Sequence, residues 1–245
     1  MVIIRLIPEK IFKNCGSDGR QDILMWHVDC HVHTEYSPDG IVPVKRIAGI
    51  CKKKGLHCIA VTDHNTIEGA LKLKEIVKDK LIVIVGEEIR TTDGEITGLF
   101  LQKRIPPQLS VEETIDEIRR QNGLICVPHP FCRFRKSKLR EEVLRRIIDQ
   151  VDVIEIFNSR NIVEEDNKTA YQFAISNKKA MTVGSDAHLA YEYGRSYLKL
   201  KPFSNAAEFL MNLGSAGMVT DKGPLWVHVV TKARKFIICP WQKRG

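Results

Sequence analysis

The sequence predicts an α/β fold built on parallel strands, either closed into a barrel or left as an open sheet. Three observations carry that expectation. Short apolar runs alternate with amphipathic helical stretches along most of the chain. The connections between them are short, so right-handed crossovers would make the strands parallel. Six segments also end an apolar run with side chains that bind metals: His31-Val32-His33, Asp63-His64, Glu87-Glu88, His129, Glu155 with Asn158, and Asp186-Ala187-His188. That recurrence places ligands at the carboxyl ends of successive strands, the rim on which such sheets build their sites.

Residues 1 to 22 read as an extension closed by the turn-rich Gly16-Ser17-Asp18-Gly19, and a first strand follows over Ile23 to Cys30. Pro43 opens a helix with Val44, Ile47, Ala48 and Cys51 on one face, and Gly55 stands where a C-terminal cap belongs. A strand at His57 to Val61 leads to a helix over Ile67 to Lys78, then a strand at Leu81 to Val85. Gly94 to Leu101 reads as a short added strand. Ser110 and Glu113 form a capping-box pattern for a helix reaching Gln121, ended by Asn122-Gly123. Strands at Leu124 to Val127, Val151 to Phe157 and Ala180 to Val183 alternate with helices at Lys138 to Gln150 and Val163 to Ser176. Asn205 with Glu208 caps a helix over Ala206 to Leu213, and the remaining tail suggests only a strand at Leu225 to Val230.

The 245 residues suffice for one α/β barrel domain or two small domains. With 43% hydrophobic and 28% charged residues the composition is that of an ordinary globular protein. A net charge of +8 and a pI near 9.1 favour anionic partners, phosphate esters or nucleic acid, although runs such as Lys52-Lys53-Lys54 are most simply read as solvated surface. The seven cysteines form no CxxC pair, and no secretory segment is recognisable, which together suggest reduced thiols in a cytoplasmic protein. Apolar runs such as Leu81 to Val85 are too short to span a bilayer, so no membrane association is expected. There is no Gly-rich phosphate loop, so a bound phosphate would have to be held by metals and side chains.

Side chains two apart on a strand share a face, so His31 and His33 can grip one ion, and Asp186 with His188 repeat that spacing at the last strand. Imidazole with carboxylate suits zinc, manganese or iron. His64 is read as a ligand and Asp63 as the partner that orients a ligand imidazole. Glu87 and Glu88 cannot both face inward on a strand of period two; Glu88 is taken as the inward residue and Glu87 as a surface residue. His129, between Pro128 and Pro130, is read as a preorganised ligand.

The ordered set Asp29-Cys-His31-Val-His33-Thr34 with Ser37 to Gly40, Thr62-Asp63-His64, Gly86-Glu-Glu88-Ile89, Pro128-His129-Pro130, Glu155-Ile-Phe-Asn158 and Gly184-Ser-Asp186-Ala-His188 resembles the PHP family, named for polymerase and histidinol phosphatase. The resemblance implies a distorted seven-stranded (β/α)7 TIM-like barrel over residues 24 to 200, followed by a C-terminal extension over 201 to 245. It implies two or three divalent metals and hydrolysis of a phosphoester on a small molecule, a nucleotide or an oligonucleotide end. Carried over residue by residue, it implies that His31, His33, Glu88 and Asp186 hold a first ion. Glu88 would bridge to a second ion also bound by His129, and Asp39, His64 and His188 would hold a third. Asp186, His188 and Glu88 are then the catalytic candidates, with His188 or Asp39 as proton donors to the leaving oxygen, and Asp63 and Asn158 as supports. Many relatives carry a further His on the added strand, where this chain has Thr97, which puts the second ion in doubt. Arg133, Arg135 and Arg195 follow ligand motifs and match phosphate geometry, although Arg135 and Arg195 are read equally well as solvated residues. A metal-dependent amidohydrolase and a nonenzymatic metal-binding module are the alternatives.

Overall fold

The computed structural model describes residues 25–231. Within them the fold is mixed α/β with a nearly closed, barrel-like sheet. Its strands are β1 (Trp26–Val32), β2 (Cys58–Val61), β3 (Ile82–Thr91), β4 (Gly94–Leu99), β5 (Leu124–Val127), β6 (Val153–Asn158), β7 (Ala180–Gly184), β8 (Tyr197–Leu200) and β9 (Gly217–Val219). The helices are α1 (Val44–Lys54), α2 (Glu68–Val77), α3 (Val111–Arg120), α4 (Glu141–Ile147), α5 (Glu164–Ser176) and α6 (Ala206–Leu213). Strands β1 to β7 lie side by side in chain order, while β8 and β9 extend the sheet beyond β1.

The barrel closes at its carboxyl rim. The first half of β1 pairs antiparallel with β8 through Trp26, His27 and Val28. Its second half turns to the segment after β7, where His33 N–H donates to the Ala187 carbonyl and Asp186 N–H to the His31 carbonyl, both at 2.8 Å. Asp29, fully buried, pins the same seam: it accepts hydrogen bonds from the Ser185 hydroxyl at 2.5 Å, the Ser185 N–H at 3.0 Å and the Gly194 N–H at 2.9 Å. Strands with buried residues on both faces, such as β2 (Cys-Ile-Ala-Val), sit between the barrel interior and the helices that cover it.

Local chemistry explains most element ends. Pro43 precedes α1, Val44, Ile47 and Cys51 are buried, and Gly55 at φ 69° donates its N–H back to the Cys51 and Lys52 carbonyls. Ser110 and Glu113 form the reciprocal capping box of α3, and Asn205 caps α6 through the Glu208 N–H.

Elsewhere the structure corrects the sequence reading. Strand β1 runs on to Val32, so His31 lies within it. Strand β3 continues through Glu87 and Glu88 to Thr91 because β4 pairs antiparallel with it from Gly86 to Thr91, prolonging the ladder. Strand β4 is antiparallel to β5 as well, so the barrel is not wholly parallel. Helix α4 starts at Glu141 rather than Lys138; Glu95 N–H donates to the Ser137 carbonyl, which keeps that stretch extended against β4. Residues 226–231 are helical, not a strand, and the strands β8 and β9 were not anticipated. Only Val227 and Thr231 of that helical segment are buried, and the Arg160 side chain donates to both the Val227 carbonyl and the Thr231 hydroxyl. The expected extension over residues 1 to 22 and the start of the first strand lie outside the described residues.

Five cysteines, Cys30, Cys51, Cys58, Cys126 and Cys132, are buried and unpaired in the sense of disulfides. Among the described residues no helix is long and apolar enough to cross a membrane.

Candidate metal centre

The rim brings the ligand-type side chains of five strands into one buried cluster. His31 Nε2 and His33 Nε2 are 3.1 Å apart. Glu88 Oε2 lies 3.4 Å from each of them. Asp186 Oδ1 lies 3.6 Å from His31 Nε2 and 3.3 Å from His33 Nε2. Atoms held tetrahedrally at about 2.0–2.1 Å from a zinc-like ion stand about 3.3–3.4 Å apart, so His31, His33 and Glu88 form a metal-sized triangle, and Asp186 approaches both imidazoles at a similar range. Glu88 Oε2 and Asp186 Oδ1 are both buried without a hydrogen-bond partner, which fits oxygen atoms reserved for an ion.

A second set adjoins the first. Asp39 Oδ1 lies 3.2 Å from His188 Nε2 and 3.6 Å from His64 Nε2, while His64 Nδ1 reaches Glu88 Oε2 at 3.3 Å. His33, His64 and His188 also offer ring nitrogens close enough together to share an ion. A set of three protein ligands is the number that catalytic zinc sites use.

Neighbouring groups orient the imidazoles. His31 Nδ1 lies 3.0 Å from Glu155 Oε1, so a proton on Nδ1 turns Nε2 toward the ion position. His33 Nδ1 is paired with the Ser37 hydroxyl at 2.9 Å in the same way. Glu155 serves three residues: its other oxygen accepts the His129 N–H at 2.7 Å and the Asn158 amide at 3.0 Å, and that amide also donates to Asp186 Oδ2 at 3.2 Å. His188 Nδ1 stands 2.8 Å from the Asp186 carbonyl and 2.6 Å from the Arg160 guanidinium. A proton on Nδ1 bonded to that carbonyl leaves Nε2 free toward Asp39.

The cluster's charges favour ligand-ready forms at Glu88, Asp186 and His33, and hold a proton on His31 that an ion would displace. Burial opposes ionisation of Glu88 and Asp186, but His64, His31 and His129 around the first, and Arg135 with the histidines around the second, hold both well below the usual carboxylate range. Burial and the neighbouring imidazoles of His188, His64 and His31 keep His33 well below its ordinary value, hence neutral. Burial works against a proton on His31, yet Glu155, Asp186 and Glu88 outweigh it and hold that group well above its ordinary value.

Two ligand residues occupy the left-handed backbone region: Asp186 at φ 52° and His129 at φ 29°. Such conformations persist where the surroundings impose them, and functional sites are where they gather. Gly184 supplies the close approach beneath; a Cβ there would fall 2.4 Å from His31 Cβ and 2.6 Å from Glu155 Oε1.

Not every expected residue enters the cluster. Asp63 accepts the N–H and the hydroxyl of Thr34, each at 2.7 Å, so it fixes the turn after His33 instead of an imidazole. Glu87 is fully buried, not on the surface, and accepts the Ile105 N–H at 2.9 Å. Arg133 is more than half exposed and bound to Asp166 on α5 at 2.9 Å. Arg195 pairs with Asp221 at 2.6 Å and stacks on the Tyr191 ring. Arg135 alone of the three arginines reaches the centre, contacting Asp186 and His129. Arg160 was not singled out from the sequence, and Glu155 was marked there only as a metal-binding type of side chain, without a specific role. Both sit on or just after β6, and the two-residue spacing of Asn158 and Arg160 was the available signal.

The PHP domain family model matches residues 29–199. The chain belongs to this family. Two uncharacterised proteins of Methanocaldococcus jannaschii are similar to it: one is 41% identical over 143 residues, covering 54% of this chain and 81% of its own length. The other is 39% identical over 175 residues, covering 70% and 69%. Among solved structures, a Bacteroides vulgatus protein described as a two-domain protein containing a predicted PHP-like metal-dependent phosphoesterase has a TM-score of 0.66 at 18% identity, over 91% of this chain and 75% of that one. At that identity the likeness speaks for the fold, and it agrees with a PHP barrel seen from β1 to β7.

Proposed function

We propose that this PHP protein hydrolyses a phosphate ester at the carboxyl rim of its barrel, with divalent metal ions held by His31, His33, Glu88 and Asp186 and by Asp39, His64 and His188. The observation that carries the reading is the clustering of the first four ligand atoms, in which the two imidazole nitrogens lie 3.1 Å apart and 3.3 to 3.6 Å from carboxylate oxygens of Glu88 and Asp186 that have no hydrogen-bond partner. Zinc, manganese or iron bound there would supply Lewis acidity and lower the pKa of a coordinated water toward about 7.

The chain's own residues do the rest. Glu88 touches both ligand sets through Oε2, so it holds the two at a fixed separation. Glu155, Ser37 and the Asp186 carbonyl hold the Nδ1 atoms of His31, His33 and His188, which keeps Nε2 of these three turned to the centre. Arg135 brings a fork of N–H donors beside Asp186, where a phosphoryl oxygen can be received. His188 and Asp39, at the edge of the cluster, are placed to pass a proton to a leaving oxygen.

The substrate class we favour is a phosphorylated small molecule or nucleotide, because the rim is buried and Arg135, paired with Asp186 there, is itself only 20% exposed. The test is a panel of phosphomonoesters, phosphodiesters and N-acyl substrates on metal-stripped protein reloaded separately with Mn²⁺, Zn²⁺, Fe²⁺ or Mg²⁺. Metal-dependent release of phosphate or of an alcohol is expected. Turnover of the N-acyl substrates alone would reassign the protein as an amidohydrolase, and no turnover of any with fully loaded protein would favour a binding module.

A further inference from the structure

Glu88 has a second oxygen, and what surrounds it differs from the two ligand sets above. Glu88 Oε1 meets His129 Nε2 at 3.0 Å, which by itself is half of a metal site. His31 and Asp186 lie close enough to His129 to share an ion with it, as Glu95 and His64 do with Glu88, but Thr97 and Arg135 take up two of the positions that border the pair. Across the β3–β4 ladder Glu88 stands directly opposite Thr97, whose side chain therefore shares its face. The Thr97 hydroxyl is buried and has no hydrogen-bond partner among the described residues; a neutral hydroxyl is a weak donor to the metals that imidazole and carboxylate select. On the remaining side stands Arg135. One arm of its guanidinium lies 3.1 Å from the same His129 Nε2, and the other rests on Asp186 Oδ2, the oxygen facing away from the first ligand set.

A divalent ion bound to His129 Nε2 would stand where Arg135 already extends one arm of its guanidinium, and would place a double positive charge beside a permanent single one. The guanidinium cannot lose its charge to make room. Its planar fork spans Asp186 and His129 as a bridging ion would, and it neutralises the Asp186 carboxylate as one would.

We propose that the Arg135 guanidinium takes the place of an ion between Glu88, His129 and Asp186, so that the centre binds two transition-metal ions and one built-in organic cation. Arg135 carries five donors, and the arms that meet His129 and Asp186 leave others to receive an anionic oxygen. Inorganic phosphate is therefore expected to bind against Arg135. The assignment of the cation stands on geometry alone; only its use toward phosphate rests on the hydrolytic reading above.

The test counts metals on the full-length chain after stripping and reconstitution, by elemental analysis and native mass spectrometry. Two ions per chain are expected for the wild type and for Thr97→His, whose new imidazole still meets the guanidinium. The double variant Thr97→His with Arg135→Ala is expected to take up a third. A wild type with three tight ions, Thr97→His alone reaching three, or a folded double variant that stays at two would each overturn the proposal. Should the double variant fail to fold, anomalous scattering from wild-type crystals decides: two peaks with guanidinium density between His129 and Asp186 support it, and a third peak there refutes it. Inorganic phosphate binding, read by calorimetry on the two-ion protein, should weaken at least tenfold in Arg135→Ala. An unchanged phosphate affinity would refute the anion-receiving part. Inactivity toward every phosphoester with the two-ion count intact would instead remove the hydrolytic reading and leave this assignment standing.

Discussion

Replacing Gly184 by alanine tests how tightly the first ligand set is seated. Gly184 has no unusual backbone angle to protect, so the effect of a single methyl is steric. That methyl would sit 2.4 Å from His31 Cβ and 2.6 Å from Glu155 Oε1, against the 3.5–4.0 Å at which carbon atoms rest. Neither neighbour can swing away, because His31 is held in β1 and Glu155 in β6, so β7 and its partners must separate by about 1 Å. Overpacking of that kind costs about 1–3 kcal/mol. If it is expressed at the ligands it raises the metal dissociation constant roughly 5- to 150-fold, and if in the fold it lowers Tm by about 2–12 °C. Competition of the variant with a chromophoric chelator measures the first, and calorimetry the second. Gly49→Ala is the control: on the exposed side of α1 its methyl meets nothing within 4 Å, and stability should stay level or rise by up to about 1 kcal/mol. Gly184→Ala with metal affinity and Tm both at the wild-type level would refute the seating argument.

Two further outcomes are expected. Burial pushes Glu87 from 4.5 to about 7, against the Ile105 hydrogen bond and the Arg104 charge, so the folded chain binds that proton more tightly than the unfolded one. Its contribution to stability is full below about 4.5 and is lost as pH rises toward about 7, a change of about 3 kcal/mol. Glu87→Gln should therefore gain on the wild type as pH rises from 4.5 to 8 in urea titrations; parallel pH profiles would count against it. Asp186→Ala and His33→Ala should each abolish hydrolysis of any phosphoester found. Cys126→Ser, whose thiol is buried in the core and approaches the Thr182 hydroxyl at 3.9 Å, should retain most activity. Steady-state rates on metal-loaded protein decide, and full activity in Asp186→Ala would sink the ligand assignment.

The parts of this protein that could be read beforehand are those encoded by local spacing. His31 and His33 share a face because strands repeat every two residues, and Asp186 and His188 announce themselves at a strand end in the same way. The same parity argument failed at Glu87, because it assumes one solvated face. Here β3 is covered on both sides, and the outward carboxylate meets the Ile105 backbone contributed by a loop 18 residues on. Arg160 was illegible for a related reason. Its partners His188, Val227 and Thr231 come from segments 28, 67 and 71 residues away, and no local pattern marks a residue whose role is set by three distant ones. The helical segment 226–231 reads as a strand from its valines, and tertiary anchoring by Arg160 prevails over that preference.

The seam where β1 meets the segment after β7 carries a kinetic consequence. Asp29 and Ser185 join there across 156 residues of chain, and the first ligand set straddles the same line, with His31 and His33 on one side and Asp186 on the other. Contacts so distant in sequence pay their loop-closure entropy late, after the local βα units have formed. The four ligands therefore meet only when the barrel has nearly closed, and in the transition state for folding they are still apart. Metal added to a refolding chain should leave the folding rate almost untouched and slow unfolding instead, since it strengthens interactions that must break before the barrel opens. The ions thus act as a latch on a finished barrel, giving the loaded protein persistence without hastening its assembly.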